Sequence, residues 1–412
     1  AGIAVNMDVV YNHTNGTGAG SLYDMTVPQY FYRMNGAAYS NGSGCGNEVA
    51  TNHAMVKYYV VESLKHWMED YHINGFRFDL MGLHEQSTMK EIYEELYKID
   101  PKVMVYGEPW TGGTAAVVNG MTGAVTTADG YGVGAFDDDF RDAIKGGEFG
   151  GFKIAQVQEN YNDAGIEAGL LGKSGGNNRN NTGKPGLALH YVECHDNYTL
   201  YDKLAYSANV AAGVEGIIGG DAIVPKFLLN PTAAQLETIR KQDKLSAAYV
   251  FLAQGTPFIN GGQEFLRTKK GNPDSYSADT KGGVTWTNTP GQYNIDDCNT
   301  IDLGFKTTYS DVYNTYKALI KIRKDYDAFT KGSYVTAANV GVKGVTKYET
   351  DGSDGKTYQV YFNATSADCT LPKAVEGYKF TISEADGTYS VASASAAISV
   401  IPAKGFVILQ KK

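Results

Sequence analysis

Along roughly the first 330 residues, short apolar runs alternate with longer stretches of helical period. The runs that read as strands are Gly2–Val10, Gly75–Leu80, Val103–Gly107, Val133–Phe136, Leu187–Cys194 and Pro257–Asn260. Between them, apolar residues recur every three or four positions, as a helix with one buried face requires. Val56, Val60, Leu64, Trp67 and Tyr71 form one such stripe, Ile92 and Leu96 mark a second, and Val312, Tyr316, Leu319, Ile322 and Tyr326 a last one. Near-continuous apolar strands separated by helices predict a parallel sheet covered by helices. From about Lys331 the period shortens to two. Tyr358–Phe362, Tyr378–Ile382, Ile398–Ile401 and Phe406–Leu409 read as short strands separated by turn material such as Asp351–Gly355. The expected division is therefore an α/β domain over 1–330 and an antiparallel β-sandwich over 331–412. The polar stretch Asn177–Asn181 reads as a loop within the first domain.

Composition narrows the function classes. The chain has 412 residues, 42% hydrophobic and 20% charged, which is globular, with a formal net charge of -9. No basic stripe is present, so no nucleic-acid partner is expected. No apolar stretch is long enough to cross a bilayer, so no membrane partner is expected. The 30 tyrosines suit a protein that stacks rings on sugars, although most of them serve packing. Cys45, Cys194, Cys298 and Cys369 are scattered and lack zinc spacing. They read as free thiols, with one bridge left open. The start, Ala1–Asp8, has none of the ordered segments of a signal peptide and reads as a buried strand. A chain that begins inside a strand reads as a fragment. The expected location is secreted or cell-surface, with a cytoplasmic one left open.

Chemistry concentrates where the strands end, the position at which parallel α/β barrels carry function. Asp8–Thr14 contains Asp8, Tyr11, Asn12 and His13; Gly75–Gly82 contains Arg77, Asp79, Leu80 and Met81; Val105–Trp110 contains Glu108 and Trp110; Tyr191–Asn197 contains Glu193, His195 and Asp196. A lone acid at a strand end is usually a turn former. Four clusters at one end of a single sheet are a different matter. Glycoside hydrolysis needs two carboxyl groups flanking the bond, one to attack or activate water and one to donate a proton. Arg77 lies two residues before Asp79, on the same strand face, and its charge keeps Asp79 ionised. Glu108 is followed by Pro109 and Trp110, apolar neighbours expected to favour its protonated form.

These clusters resemble, in order, the four conserved regions of the α-amylase superfamily, and most closely those of type I pullulanases. Gly107–Trp110, Glu193–Asn197, Gly261–Lys269 and Phe136–Gly146 carry that closer likeness. The resemblance implies a TIM (β/α)8-type barrel and a retaining hydrolase of α-1,6 linkages in branched α-glucans that acts through a covalent glycosyl-enzyme. It implies Asp79 as nucleophile, Glu108 as general acid/base and Asp196 as the holder of sugar hydroxyls. Arg77 would position Asp79, Asp8 would support Arg77, and His13 and His195 would bind the sugar whose bond is cut. Tyr11, Leu80, Met81, Trp110 and Tyr198 would form apolar or stacking walls, with simple packing nearly as good a reading. No organic cofactor is implied. A structural Ca2+ is a further expectation, with oxygens available from Asn12 and Asp137–Asp139, although no loop has calcium-ligand spacing.

Two differences from the family stand out. Its first region lies on the third strand of eight, so this chain is expected to supply strands 3 to 8 and to need the N-terminal remainder of the same protein, because a six-stranded remnant exposes two edges. The tyrosine-containing motif that lies upstream in the family is absent too. Asn299–Leu303 carries Leu303 where pullulanases have Trp, and Gly282–Trp286 reads as an insertion. The alternatives are an isoamylase-like debrancher, an α-1,4-acting amylase or a non-catalytic α-glucan-binding fragment.

Overall fold

The computed structural model describes residues 2–122, 132–147, 153–172, 184–211, 230–273, 275, 280–281, 284–285, 295–393 and 398–411. The loop Asn177–Asn181, and Gly282, Gly283 and Trp286 of the expected insertion, lie outside the described residues. The chain gathers into two compact units. One is Ala1–Asp137 with Gly176–Leu189; the other is Asp138–Gly175 with His190–Lys412.

In the first unit, strands β1 (Asn6–Val9), β2 (Gly75–Phe78), β3 (Met104–Gly107), β4 (Val133–Phe136) and β5 (Ala188–His190) are paired in that order, all parallel. Strands β1, β2, β3 and β5 are shorter than the apolar runs suggest, and β2 stops at Phe78, just before Asp79. Helices α1 (Ala54–Glu69) and α2 (Gln86–Ile99) pack on the sheet. Val60, Leu64, Ile92 and Leu96 join Phe76, Phe78, Val105 and Val133 in one buried cluster. The stripe expected on α1 is corrected at its end. The helix stops before Tyr71, which is 59% exposed, and Met68 fills the core instead.

Between β1 and α1 the chain makes an excursion with a small hairpin, Met34–Asn35 against Ala38–Tyr39. Buried Arg33 organises it, bonding Glu48 (2.9 Å), Glu85 (2.6 Å) and the Leu83 carbonyl (2.9 Å). Burying these charges is tolerable because every one is paired and hydrogen-bonded.

The second unit holds helices α3 (Asp138–Lys145), α4 (Asp163–Leu170), α5 (Leu200–Ala211), α6 (Ala233–Leu252) and α7 (Ser310–Asp325), with the short strand β6 (Thr256–Pro257). A capping box starts α6: Thr232 Oγ1 accepts the Gln235 N–H and the Gln235 side chain accepts the Thr232 N–H. Val312, Tyr316, Leu319 and Ile322 of α7 are buried as their spacing predicts.

After Ala328–Lys331 the chain turns to antiparallel strands: β7 (Val335–Asn339), β8 (Val345–Asp351), β9 (Thr357–Asn363), β10 (Cys369–Val375), β11 (Gly377–Ile382), β12 (Tyr389–Ser393), β13 (Ile398–Ile401) and β14 (Gly405–Lys411). Six of them form one sheet in the order β7-β8-β9-β14-β11-β12, and β10 pairs with β13. Alternation buries both faces of the central strands. Tyr358, Val360, Phe362 and Ile408 face the helices, with Phe362 stacked on Tyr249 of α6 at 4.5 Å. Tyr361, Val407 and Leu409 face Leu371 and Ile401 of the β10–β13 pair. All four cysteines are free thiols.

Candidate active site

Strand register assembles the first part of the site. Asp8 pairs with Arg77, and Phe78 pairs with Gly107, so Asp79 and Glu108 leave neighbouring strands at the same level. The Gly107 position tolerates no side chain, because an added Cβ would lie 2.4 Å from the Phe78 carbonyl oxygen. Arg77 is buried and serves three carboxylates. Its Nη1 donates to Asp8 Oδ1 (2.9 Å) and Asp79 Oδ1 (3.2 Å), and its Nη2 donates to Glu108 Oε1 (2.5 Å). Its planar fork suits this task, which a point charge cannot match. Burial alone would lower the Arg77 pKa; the charges of Glu108, Asp8 and Asp79 outweigh it and the net shift is upward.

Two further donors complete the cluster. The amide of Asn12, fully buried, donates to the Asp79 carbonyl (2.6 Å) and to its Oδ2 (2.8 Å). Glu108 Oε2 accepts the Leu80 N–H at 2.8 Å. Leu80 itself is left-handed, φ 40° and ψ 49°, a costly conformation for a branched residue. It turns the chain sharply after Asp79, so that Asp79 stays partly open to solvent while Glu108 is enclosed. The apolar surround expected for Glu108 is therefore corrected. Its two carboxylate oxygens accept from a guanidinium and a backbone N–H, because the adjacent strand brings Arg77 across.

The remaining positions divide clearly. His13 is held through Nδ1 by Asn12 Oδ1, Tyr11 bonds Ser63 at 2.8 Å, and Trp110 is half-buried. Met81 and Tyr198 have 0% and 1% exposure and lie within the hydrophobic cores of the first and second unit respectively. In both cases the side chain packs inward.

In the second unit, His195 and Asp196 are exposed on the loop between β5 and α5, with Nε2 to Oδ2 at 3.4 Å. The bond to Asp196, aided by Cys194, raises the His195 pKa to about 10. Glu193 is buried beneath them, accepting the Leu200 N–H (2.8 Å) and the Asn260 amide (2.8 Å). Burial raises its pKa from 4.5 to about 7 against these bonds. A carboxyl raised in the fold stabilises most below its unfolded pKa, and that contribution is lost as pH rises through about 7. E193Q, which cannot ionise, should gain stability relative to wild type between pH 5 and 8, by on the order of 1–3 kcal/mol. Parallel melting-temperature profiles for the two proteins would overturn this.

Asn12 and Glu193 are the residues that sequence reasoning under-read. Asn12 was legible only as a polar residue inside an apolar strand end, where its side-chain oxygen suggested a calcium ligand. Here that oxygen meets His13 and the amide nitrogen meets Asp79, so the group is committed within the protein. Among the described residues no group of three His, Cys, Asp or Glu side chains is placed to hold a metal ion. Leu303 is 69% exposed. Near it an open pocket of about 280 Å³ is lined by Arg267, Thr268, Lys270, Asp297, Thr300, Asp302 and Phe305. No described helix is long and apolar enough to cross a membrane.

No protein-family model matches the chain. Pullulanase of Bacillus subtilis (strain 168) is 30% identical over 334 residues, 80% of this chain and 40% of that protein. A solved pullulanase from Bacillus acidopullulyticus superposes with a TM-score of 0.79 at 30% identity, covering 99% of this chain and 46% of that one. This chain is a relative of the pullulanases. It spans less than half the length of either protein. Pullulanase from Paenibacillus barengoltzii, solved with maltohexaose and α-cyclodextrin, matches with a TM-score of 0.75 at 27% identity over 100% of this chain and 59% of that one. A rice protein, isoamylase 3, is 31% identical over 306 residues, 68% of this chain and 37% of that protein.

Proposed function

We propose that the chain is the catalytic portion of a pullulanase-type glycoside hydrolase that cleaves α-1,6 linkages in pullulan, starch or glycogen-type glucans with retention of configuration. The observation that carries this reading is the Arg77 bridge, one guanidinium joining two strand-end carboxylates, Asp79 and Glu108. Asp79, gripped by Asn12 and Arg77 and partly open, attacks the anomeric carbon and forms a glycosyl ester. Glu108 protonates the departing oxygen, then takes a proton from the water that cleaves the ester. Glu108 is the most enclosed of the three carboxylates and Asp79 is partly open, which suits Asp79 to attack and Glu108 to proton transfer at the departing oxygen. Asp196 holds sugar hydroxyls, and His13 and His195 are each assigned to sugar binding.

The fold reading extends accordingly. Residues 1–330 supply strands 3 to 8 of a (β/α)8 barrel whose first strands come from the N-terminal remainder of the protein, and 331–412 form a β-sandwich. The two-faced burial of β9 and β14 supports the sandwich.

Product analysis on pullulan tests the linkage. Maltotriose as sole product supports α-1,6 cleavage; panose or isopanose means α-1,4 cleavage and refutes it. The similarity to rice isoamylase 3 keeps an isoamylase-like debrancher as the second reading, favoured if branched glucans are cut and pullulan is not. Binding of maltotriose by calorimetry without any turnover would leave a glucan-binding protein only.

A further inference from the structure

We propose that Lys269 is a positioning residue for Asp196, fixing the peptide units on both sides of it. Lys269 is 1% exposed, and its Nζ donates to the carbonyls of His195 (2.7 Å) and Asn197 (2.9 Å). These are the residues immediately before and after Asp196. A single buried ammonium thus holds both flanking carbonyls turned inward, and the side chain of Asp196 is left exposed on a pinned backbone. Asn197 sits in the left-handed region, φ 64°, so this loop needs outside support to keep its shape.

The support is itself anchored. Asp202, fully buried in the first turn of α5, accepts the backbone N–H groups of Lys269 (2.9 Å) and Gly271 (3.0 Å) and the Thr268 hydroxyl. The loop that follows β6 is therefore fastened to the helix that follows the Asp196 loop. Burial pulls the Lys269 pKa down, with the charges of Asp196, Asp202 and Glu193 opposing it. A buried ammonium held among backbone carbonyls has a costly alternative if they move, which makes the arrangement rigid.

The inference rests on the reading of Asp196 as a residue that acts on substrate, and the test separates the two. Turnover of pullulan by the intact protein is compared for wild type, K269M, D196N and the double variant. K269M should lower kcat about ten- to a hundredfold with KM changed less than about threefold, as expected for a misplaced catalytic group. In the D196N background, K269M should add less than about a twofold loss, because its effect runs through Asp196. An equal fold-loss in both backgrounds, with D196N itself impaired, overturns the Lys269 inference alone. Wild-type turnover by D196N overturns the reading of Asp196, and the inference with it. If K269M does not fold, the same cycle is run with K269R, which keeps the charge but not the ammonium geometry.

Discussion

D79N and E108Q should each lower kcat on pullulan by on the order of a thousandfold or more, about 4 kcal/mol of transition-state stabilisation. The two losses have different chemical origins, and one substrate separates them. An amide at position 79 forms no glycosyl ester, so no leaving group restores its first step. An amide at position 108 has no proton to give, so an α-glucosyl substrate whose leaving group needs none should recover a burst of first-step product in E108Q and not in D79N. Both variants should stay folded at a modest cost. At position 79 one amide face must oppose either the Asn12 amide or Arg77, and at 108 the new NH2 opposes the Leu80 N–H. Each mismatch costs about 1–3 kcal/mol, visible as a lowered melting temperature. Near-wild-type turnover by either variant refutes the assignment, and a burst in D79N equal to that in E108Q reverses the roles.

How much of this was legible in the sequence depends on how local the cause is. Arg77 and Asp79 share a face because strand period is two, which needs only three residues of sequence. The Arg77–Glu108 bond needs the register of β2 against β3, which no local pattern encodes. For the same reason Glu108 looked apolar from its neighbours Pro109 and Trp110 while its partner lay across the sheet. Met81, two residues after Asp79, reads from sequence as a wall or as simple packing, and after the left-handed turn at Leu80 its side chain lies in the core.

Strand β8 shows why a buried strand can lack an apolar signal. β8 buries Thr346, Tyr348 and Thr350, so its inward face is two-thirds threonine and shows no apolar alternation. Thr350 fits there because its hydroxyl donates to the Ala328 carbonyl at 2.9 Å. The excursion between β1 and α1 was unreadable for a related reason. It is organised by Arg33 and two glutamates, residue types that ordinarily mark a surface.

Removal of Arg77 should affect stability and activity together, and its pH dependence shows why. In R77M, Glu108 stays enclosed without its counter-charge, and Asp8 and Asp79 add repulsion. Breaking such a buried pair costs about 3–5 kcal/mol, and kcat should fall by at least about a thousandfold. With the cation gone, enclosure and like charge penalise the ionised form of Glu108, a penalty absent where the carboxyl is protonated and fully present at neutral pH and above. The stability deficit of R77M against wild type should therefore be small near pH 4 and large near pH 8, measured by urea unfolding at both. Adding E108Q to R77M removes the most enclosed charge and should restore part of the stability at pH 8 while restoring no turnover. R77K should fold better than R77M, but a single ammonium cannot span Asp8, Asp79 and Glu108 as the fork does, so its kcat should still fall at least about tenfold. An R77M protein as stable as wild type at pH 8 would show that the three carboxylates do not depend on this guanidinium, and the proposed division of labour between Asp79 and Glu108 would lose its physical basis.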